Sequence, residues 1–311
     1  MMDFLVGSSG FVGSNIASQH SFDGLFRSSN VTEAYGCSPD LLVYAGVRAE
    51  MFLANKDPQA DRALIDDAIQ NIRQIAPKKC VLVSTIAVYP DTHGADEDTV
   101  IPEARLTAYG VNRLALEHWV EDNVTDSLII RLPAIYGKGL KKNFLYDYIH
   151  VIPAMLTEAK LTELSAKAPE LCDFYRPQGN GFFKCRQLSD EENDMLKKLF
   201  RNLGFSALNF TDSRSVYQFY ALKDIWSHIR IALKNGLTRL NVTTPPLSVS
   251  EVYRELSGED FVNHLSKPPF DYDLRSKHYS LFGGNDGYLI SREKEMDDIA
   301  EFVRAEGGYC R

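Results

Sequence analysis

Several things are scarce in this chain of 311 residues. Cysteine occurs five times, at Cys37, Cys80, Cys172, Cys185 and Cys310, with no Cys-x-x-Cys pair. An odd, scattered set argues against a disulfide framework or a zinc ribbon and fits reduced thiols. The seven histidines show no ligand spacing, so no metal is expected. No apolar run is long enough to span a bilayer. The start, Met1 to Gly7, has no basic residue and no long apolar core, so no signal peptide is expected and the cytoplasm is the expected compartment. Basic residues are outnumbered, 34 against 42 acidic ones, for a net charge of −8. Such a chain is a poor general binder of nucleic acid or anionic membrane, which leaves room only for a local basic pocket.

What is present is ordinary globular material, 44% apolar and 24% charged. Residues 3–6, 41–45, 80–83 and 127–131 are short runs, apolar almost throughout. Between them, residues 11–20, 60–75 and 108–120 read as helices, the second of them with apolar residues at helical spacing. Buried-type strands alternating with helices mean parallel strands covered on both faces. Past Pro133 that rhythm breaks. Residues 156–205 read as helical and charged, with Ser189-Asp190-Glu191-Glu192 as a capping box and Gly204 as a stop. The expected fold is α/β: a Rossmann-type doubly wound parallel sheet over residues 1–140, then a smaller, mainly helical substrate lobe over 141–311. That lobe carries a helical insertion at about 156–212 and returns to the sheet at 216–222 and 240–242.

The first strand ends directly in Gly7-Ser8-Ser9-Gly10-Phe11-Val12-Gly13, which opens the first helix. Glycines at this spacing allow a tight turn, close approach of a diphosphate, and close helix–strand packing. The same triplet also punctuates plain turns; its place between strand and helix points to a dinucleotide. Arg27-Ser28-Ser29 follows the second strand and would suit a 2′-phosphate, hence NADP modestly over NAD. Glu33, twenty residues after Gly13, could instead serve as the acid of an NAD site. Tyr109 and Arg113 stand four apart on a helix, so they share a face. A fixed cation beside a tyrosine lowers its pKa and equips it for proton transfer. Lys138, Lys141 and Lys142, followed by Asn143, form a basic loop, either a phosphate cradle or a solvated surface.

These stations, with Asp40-Leu-Leu-Val-Tyr-Ala-Gly46, Val83-Ser84-Thr85-Ile86-Ala87-Val88-Tyr89 and Arg131-Leu-Pro-Ala-Ile-Tyr-Gly137, resemble the extended short-chain dehydrogenase/reductase family. That family holds nucleotide-sugar epimerases, dehydratases and 4-ketosugar reductases. The resemblance is good over the first 140 residues, weaker over 218–258 and absent over about 156–212. It implies a catalytic set of Thr85, Tyr109 and Arg113, where the family has lysine in place of the arginine. It implies a cofactor site of Gly7, Ser9, Gly10, Phe11, Val12, Gly13, Arg27, Ser28, Ser29, Ala45, Gly46, Arg48, Tyr109, Arg113 and Pro133. It implies substrate contacts from Thr85, Ile86, Lys138, Lys142, Asn143, Arg214, Gln218 and Arg275.

Ile86-Ala87 occupies the place of the family dehydratases' Asp-Glu pair and cannot transfer protons, so dehydration is not expected. Ala87 also stands where one epimerising group has a cysteine. What remains is hydride exchange at one sugar carbon, a 4-keto reduction ahead of a C4 epimerisation. A weakly active dinucleotide-binding sensor or scaffold is the other alternative, and Arg113 is the feature that favours it. A homodimer is expected. Arg113→Lys, restoring the family's cation, is expected to keep or raise activity. Phe174, Tyr175, Phe182, Phe183, Phe205 and Phe210, interleaved with Arg176, Lys184 and Arg186, suit a lid over a nucleotide sugar, or else a packing insert.

Overall fold

The structure is a computed structural model and describes residues 2–310. The chain runs β1 (Asp3–Val6), α1 (Phe11–Ala17), β2 (Gly24–Phe26), β3 (Leu41–Tyr44), α2 (Met51–Lys56), α3 (Pro58–Ile75), β4 (Lys79–Thr85), α4 (Ala108–Asn123), β5 (Asp126–Leu132) and β6 (Ala134–Tyr136). It continues with α5 (Phe144–His150), β7 (Met155–Thr157), α6 (Glu158–Ser165), β8 (Tyr175–Pro177), β9 (Phe182–Cys185) and α7 (Asp190–Asn202). Then follow β10 (Val216–Tyr217), β11 (Phe219–Ala221), α8 (Ile225–Lys234), β12 (Arg239–Asn241), β13 (Leu247–Ser248), α9 (Val249–Ser257) and α10 (Arg292–Ala305). The chain divides into two compact units. The first runs to Leu140 and includes Tyr217–Leu247 and Asp271–Asp298; the second comprises Lys141–Val216, Ser248–Phe270 and the stretch from Ile299.

In the first unit, six strands form one sheet in the order β12-β5-β4-β3-β1-β2, every pairing parallel. Strand side chains alternate between two cores, as the pleat requires. Phe4, Val6, Leu42, Tyr44, Leu82 and Ile129 pack with Ile65 and Ile72 of α3 and with Leu116 of α4. Leu5, Val43, Val81, Leu128 and Ile130 pack on the other face with Ile16 of α1 and Ile225 and Ile229 of α8. Covering both faces is why these strands are apolar throughout rather than alternating. Helix α3 starts because Asp57 caps it, accepting from Ala60 N, with Pro58 in the first turn; it stops at Ala76, which is left-handed. Thr107 caps α4 by accepting from Gly110 N.

The second unit corrects the expectation of an all-helical segment. A three-stranded antiparallel sheet, β7-β9-β8, forms from the strand before α6 and the two strands between α6 and α7. Its hairpin turns at Gln178-Gly179-Asn180-Gly181, where both glycines have positive φ (74° and 80°). That turn signal outweighs helical spacing that the short flanking strands never had. The expected capping box of α7 is present, with Glu192 N donating to Ser189 Oγ at 3.2 Å and Ser189 N to Glu192 Oε2 at 3.0 Å. Phe174 and Tyr175 are buried in this unit's own core with Leu156, Leu171, Leu196 and Phe200. Arg186 grips Glu192 through both carboxylate oxygens and lies over the Phe174 ring. Much of the aromatic material is therefore internal packing, whereas Arg176, Phe182, Lys184 and Phe210 stay exposed.

Candidate active site

The ends of β1, β2 and β3 meet at the glycine turn. Gly7 has φ +89°, and a Cβ there would sit 2.4 Å from Ala45 O. A Cβ at Gly13 would sit 2.1 Å from Gly7 O. Only glycine permits either approach, so the turn is folded tightly against β3 and into the start of α1. Gly10 is different: its Cβ would have only Gly7 O, at 3.2 Å, nearby, and the residue is exposed. That leaves an open backbone face of the kind a diphosphate needs. Gly7 N and Ser8 N both donate to Phe26 O, at 2.8 and 3.0 Å, which stitches the turn to the end of β2. Arg27, Ser28 and Ser29 follow at once and are all exposed, as are Ser9, Gly46 and Arg48. Phe11, Val12 and Ala45 are partly buried and pack into the α1-side core. Glu33 is exposed and sits on the following turn, within reach of Asn30 Nδ2 at 3.4 Å.

Thr85 ends β4 and Tyr109 lies in the first turn of α4. They come together because α4 packs closely on the 86–88 turn: a Cβ on Gly110 would meet Ala87 O at 2.6 Å. Ala87 N donates to Thr85 Oγ1 at 3.1 Å, which leaves the Thr85 hydroxyl hydrogen available to donate elsewhere. The Thr85 hydroxyl lies near the Tyr109 phenol and favours its ionised form. The Arg113 guanidinium carbon lies 4.3 Å from the centre of the Tyr109 ring. Tyr109 itself is 4% exposed.

One expectation is corrected here. Arg113 does favour the phenolate, but burial of Tyr109 outweighs it, and the phenol is held above its ordinary pKa. Asp61 contributes to that outcome by repelling the phenolate. Its carboxylate takes both arms of Arg113, Nη1 to Oδ2 and Nη2 to Oδ1 at 3.0 Å each. Arg113 Nη2 also donates to Arg48 O at 2.7 Å. Arg48 is three residues beyond Ala45, the residue that walls Gly7, so one short stretch of chain links the glycine turn to Arg113.

A buried polar network lies beneath. Ser84 Oγ donates to Glu117, which takes Arg131 Nη2 at 2.6 Å and Arg131 Nε at 3.1 Å. Arg131 Nη1 in turn donates to Tyr89 Oη. These residues tie the strand that carries Thr85 to the helix that carries Tyr109.

The residues expected to touch substrate divide between the two units. Thr85, Ile86, Lys138, Gln218 and Arg275 belong to the first unit, and Lys142, Asn143 and Arg214 to the second. Ile86 is buried on the 86–88 turn, while Lys138 is exposed and its carbonyl accepts from Asn15 Nδ2 at 3.0 Å. Pro133, partly buried, follows β5. Gln218 is fully buried and braces backbone: it donates to Thr244 O and Leu274 O and accepts from Leu274 N. Arg275 pairs with Asp273 at 2.8 Å and stacks on Tyr288. Arg214 forks onto Asp212. Asn143 caps α5 by accepting from Tyr146 N at 3.1 Å, and Lys142 is exposed. Sequence reasoning missed Asp61, Asn55, Asn112 and Glu117, and met Arg131 only as part of a motif, without its buried partners; only the unusual arginine at 113 hinted that a carboxylate partner was needed.

Residues 24–172 match the model of the NAD dependent epimerase/dehydratase family, a match that begins after the glycine turn. A search of curated proteins finds no match. Among solved structures, a dTDP-4-dehydrorhamnose reductase from Yersinia enterocolitica is similar at 14% identity, covering 98% of this chain and 100% of that one, with a TM-score of 0.63. The dTDP-4-dehydrorhamnose reductase of Bacillus anthracis, solved with NADP, is also 14% identical, with coverage of 98% and 99% and a TM-score of 0.63. A UDP-galactose 4-epimerase is similar at 13% identity, with 97% of each chain covered and a TM-score of 0.61.

Proposed function

We propose that this chain, whose residues 24–172 match the NAD dependent epimerase/dehydratase family, is an NAD(P)-dependent oxidoreductase that reduces the 4-keto group of a nucleotide-linked sugar. The observation that carries the reading is the meeting of Thr85 and Tyr109, with the Arg113 cation on the tyrosine ring, in the sheet that also bears the glycine turn. The similar solved structures include two reductases of a nucleotide-linked dehydrosugar, one of them holding NADP.

In this reading the open face at Gly10 takes the cofactor diphosphate, and Arg27 with Ser28 and Ser29 takes a 2′-phosphate, which favours NADP over NAD. The bound nicotinamide supplies the hydride. Thr85 donates its hydroxyl hydrogen to the substrate carbonyl oxygen and orients it. Tyr109 gives its phenolic proton to that oxygen as the carbon is reduced, and regains a proton from water. A phenol held above its ordinary pKa by burial stays protonated at neutral pH, which suits an acid in the reductive direction. The protein works in the cytoplasm as a homodimer in this account.

C4 epimerisation is the second reading, favoured by the likeness to a UDP-galactose 4-epimerase. Ile86 and Ala87 bring no further proton-transfer group to the site, so elimination chemistry has no agent. The deciding experiment supplies NADPH with a panel of nucleotide-linked 4-ketosugars and, in parallel, the oxidised cofactor with the corresponding 4-hydroxy nucleotide sugars. Stoichiometric loss of NADPH supports reduction. Sugar interconversion without net cofactor change supports epimerisation. Cofactor binding without either would leave a sensor or scaffold.

A further inference from the structure

We propose that Asp61 is a positioning residue of this site, which holds the Arg113 guanidinium over the ring of Tyr109 so that the cation acts on the phenol through its ring. The proposal rests on the reading of Tyr109 as the proton donor. Asp61 lies in the first turns of α3, and both it and Arg113 are about 5% exposed in their side chains (6% and 5%). Its two oxygens accept from three donors, all on two adjacent residues of α4. Asn112 Nδ2 reaches Oδ2 at 2.8 Å, Arg113 Nη1 the same oxygen at 3.0 Å, and Arg113 Nη2 reaches Oδ1 at 3.0 Å.

The grip is reinforced by neighbours on the same stretch of chain. Arg48 O accepts from Arg113 Nη2 at 2.7 Å, Pro58 O from Asn112 Nδ2 at 3.3 Å, and Asn55 Oδ1 from Tyr109 N at 3.0 Å. Residues 48–61 thus hold the first two turns of α4 at every polar contact they make with it. With both arms tied to one carboxylate, the guanidinium is held at 4.3 Å from the Tyr109 ring centre, well inside cation–π range. A lysine ammonium could sit near the ring but could not be aimed this way by one carboxylate. The arginine at 113 and the aspartate at 61 therefore belong together.

The charged groups acting on Tyr109 are Arg113 and Asp61, and they make opposite demands. If Asp61 acted only as a nearby negative charge, removing that charge would make Tyr109 titrate lower. If Asp61 acts by holding Arg113 on the ring, Asp61→Asn lets the cation leave, and Tyr109 titrates higher. The test is a tyrosinate difference titration against Tyr109→Phe, run on the full chain, on Asp61→Asn, on Arg113→Met and on the double variant. The expected result is an upward shift of about one unit or more in Asp61→Asn, matched by the double variant and exceeded by Arg113→Met, which leaves the Asp61 charge alone beside the phenol. A downward shift, or none, overturns the proposal. Should Asp61→Asn fail to fold, the unsubstituted protein still decides. Resolved, slowly exchanging Arg113 Nη–H signals in NMR, with Cδ protons shifted by a ring current that Tyr109→Leu abolishes, support it; averaged signals without that shift overturn it. Neither readout uses turnover, so a failure here leaves the reductase reading standing, and a failed turnover assay leaves this one.

Discussion

Replacing Arg113 by lysine separates what the sequence suggests from what the structure requires. Lysine is the family's cation, so the substitution looks restorative. The structure makes it damaging. Arg113 donates three hydrogen bonds, two to Asp61 and one to Arg48 O, all within 3.0 Å. An ammonium on a shorter stem can keep the charge but not the fork. Losing one charged hydrogen bond in a buried place costs about 2 kcal/mol. For a chain of 311 residues that is roughly 3 °C in Tm. Arg113→Ala strands Asp61 as an unpaired buried charge and costs more, about 3–5 kcal/mol. The assays are thermal denaturation and urea midpoints of both variants, beside NADPH turnover. The expected order of stability is wild type, then lysine, then alanine, with activity of the lysine variant reduced. A lysine variant as stable as wild type, or more active, would refute the reasoning about the pair.

Thr85→Ala lowers kcat by at least tenfold while Thr85→Ser keeps most of it, as steady-state kinetics with a reducible nucleotide sugar will show. Because Tyr109 is held above its ordinary pKa and must be protonated to donate, reduction stays flat through neutral pH and falls only in the alkaline range, whereas oxidation rises there; a bell centred near neutrality would contradict this. Gly13→Ala drives a Cβ against Gly7 O and costs about 3 kcal/mol or more, with cofactor affinity lost, by calorimetry. Burial lowers His228 from 6.5 to about 4, so the unfolded chain binds its proton first as pH falls. His228 therefore withdraws roughly 3 kcal/mol of stability between pH 6.5 and 4, and His228→Phe should flatten that part of the stability–pH curve.

The parallel sheet was legible because its strands are apolar on both faces and its helices punctuate them. Phe4 and Val6 face one core and Leu5 the other, so no alternation survives to mislead. The glycine turn was legible because glycine at positions 7 and 13 answers a steric demand visible in the spacing. Over residues 156–205 the reading failed at β8 and β9, strands of three and four residues, too short for any period to register. At the site, the residues on one helix face could be paired from spacing alone, as Tyr109 and Arg113 were. Asp61 could not, because its contact with Arg113 depends on how α3 packs on α4. The same holds for Glu117 and Arg131, whose union crosses from helix to sheet. The sign of the shift at Tyr109 was misread for a related reason: spacing shows the neighbouring charge and conceals the burial.

The account's central claim is that Tyr109 donates the proton while a nicotinamide donates hydride to one sugar carbon. The direct measurement is isotope transfer from NADPH deuterated at the nicotinamide C4, using wild type and Tyr109→Phe with a nucleotide-linked 4-ketosugar. The account predicts deuterium at C4 of the product sugar with wild type. It predicts none with Tyr109→Phe, although that variant binds NADPH within a few-fold of normal. Product without deuterium, or undiminished transfer by Tyr109→Phe, would contradict it.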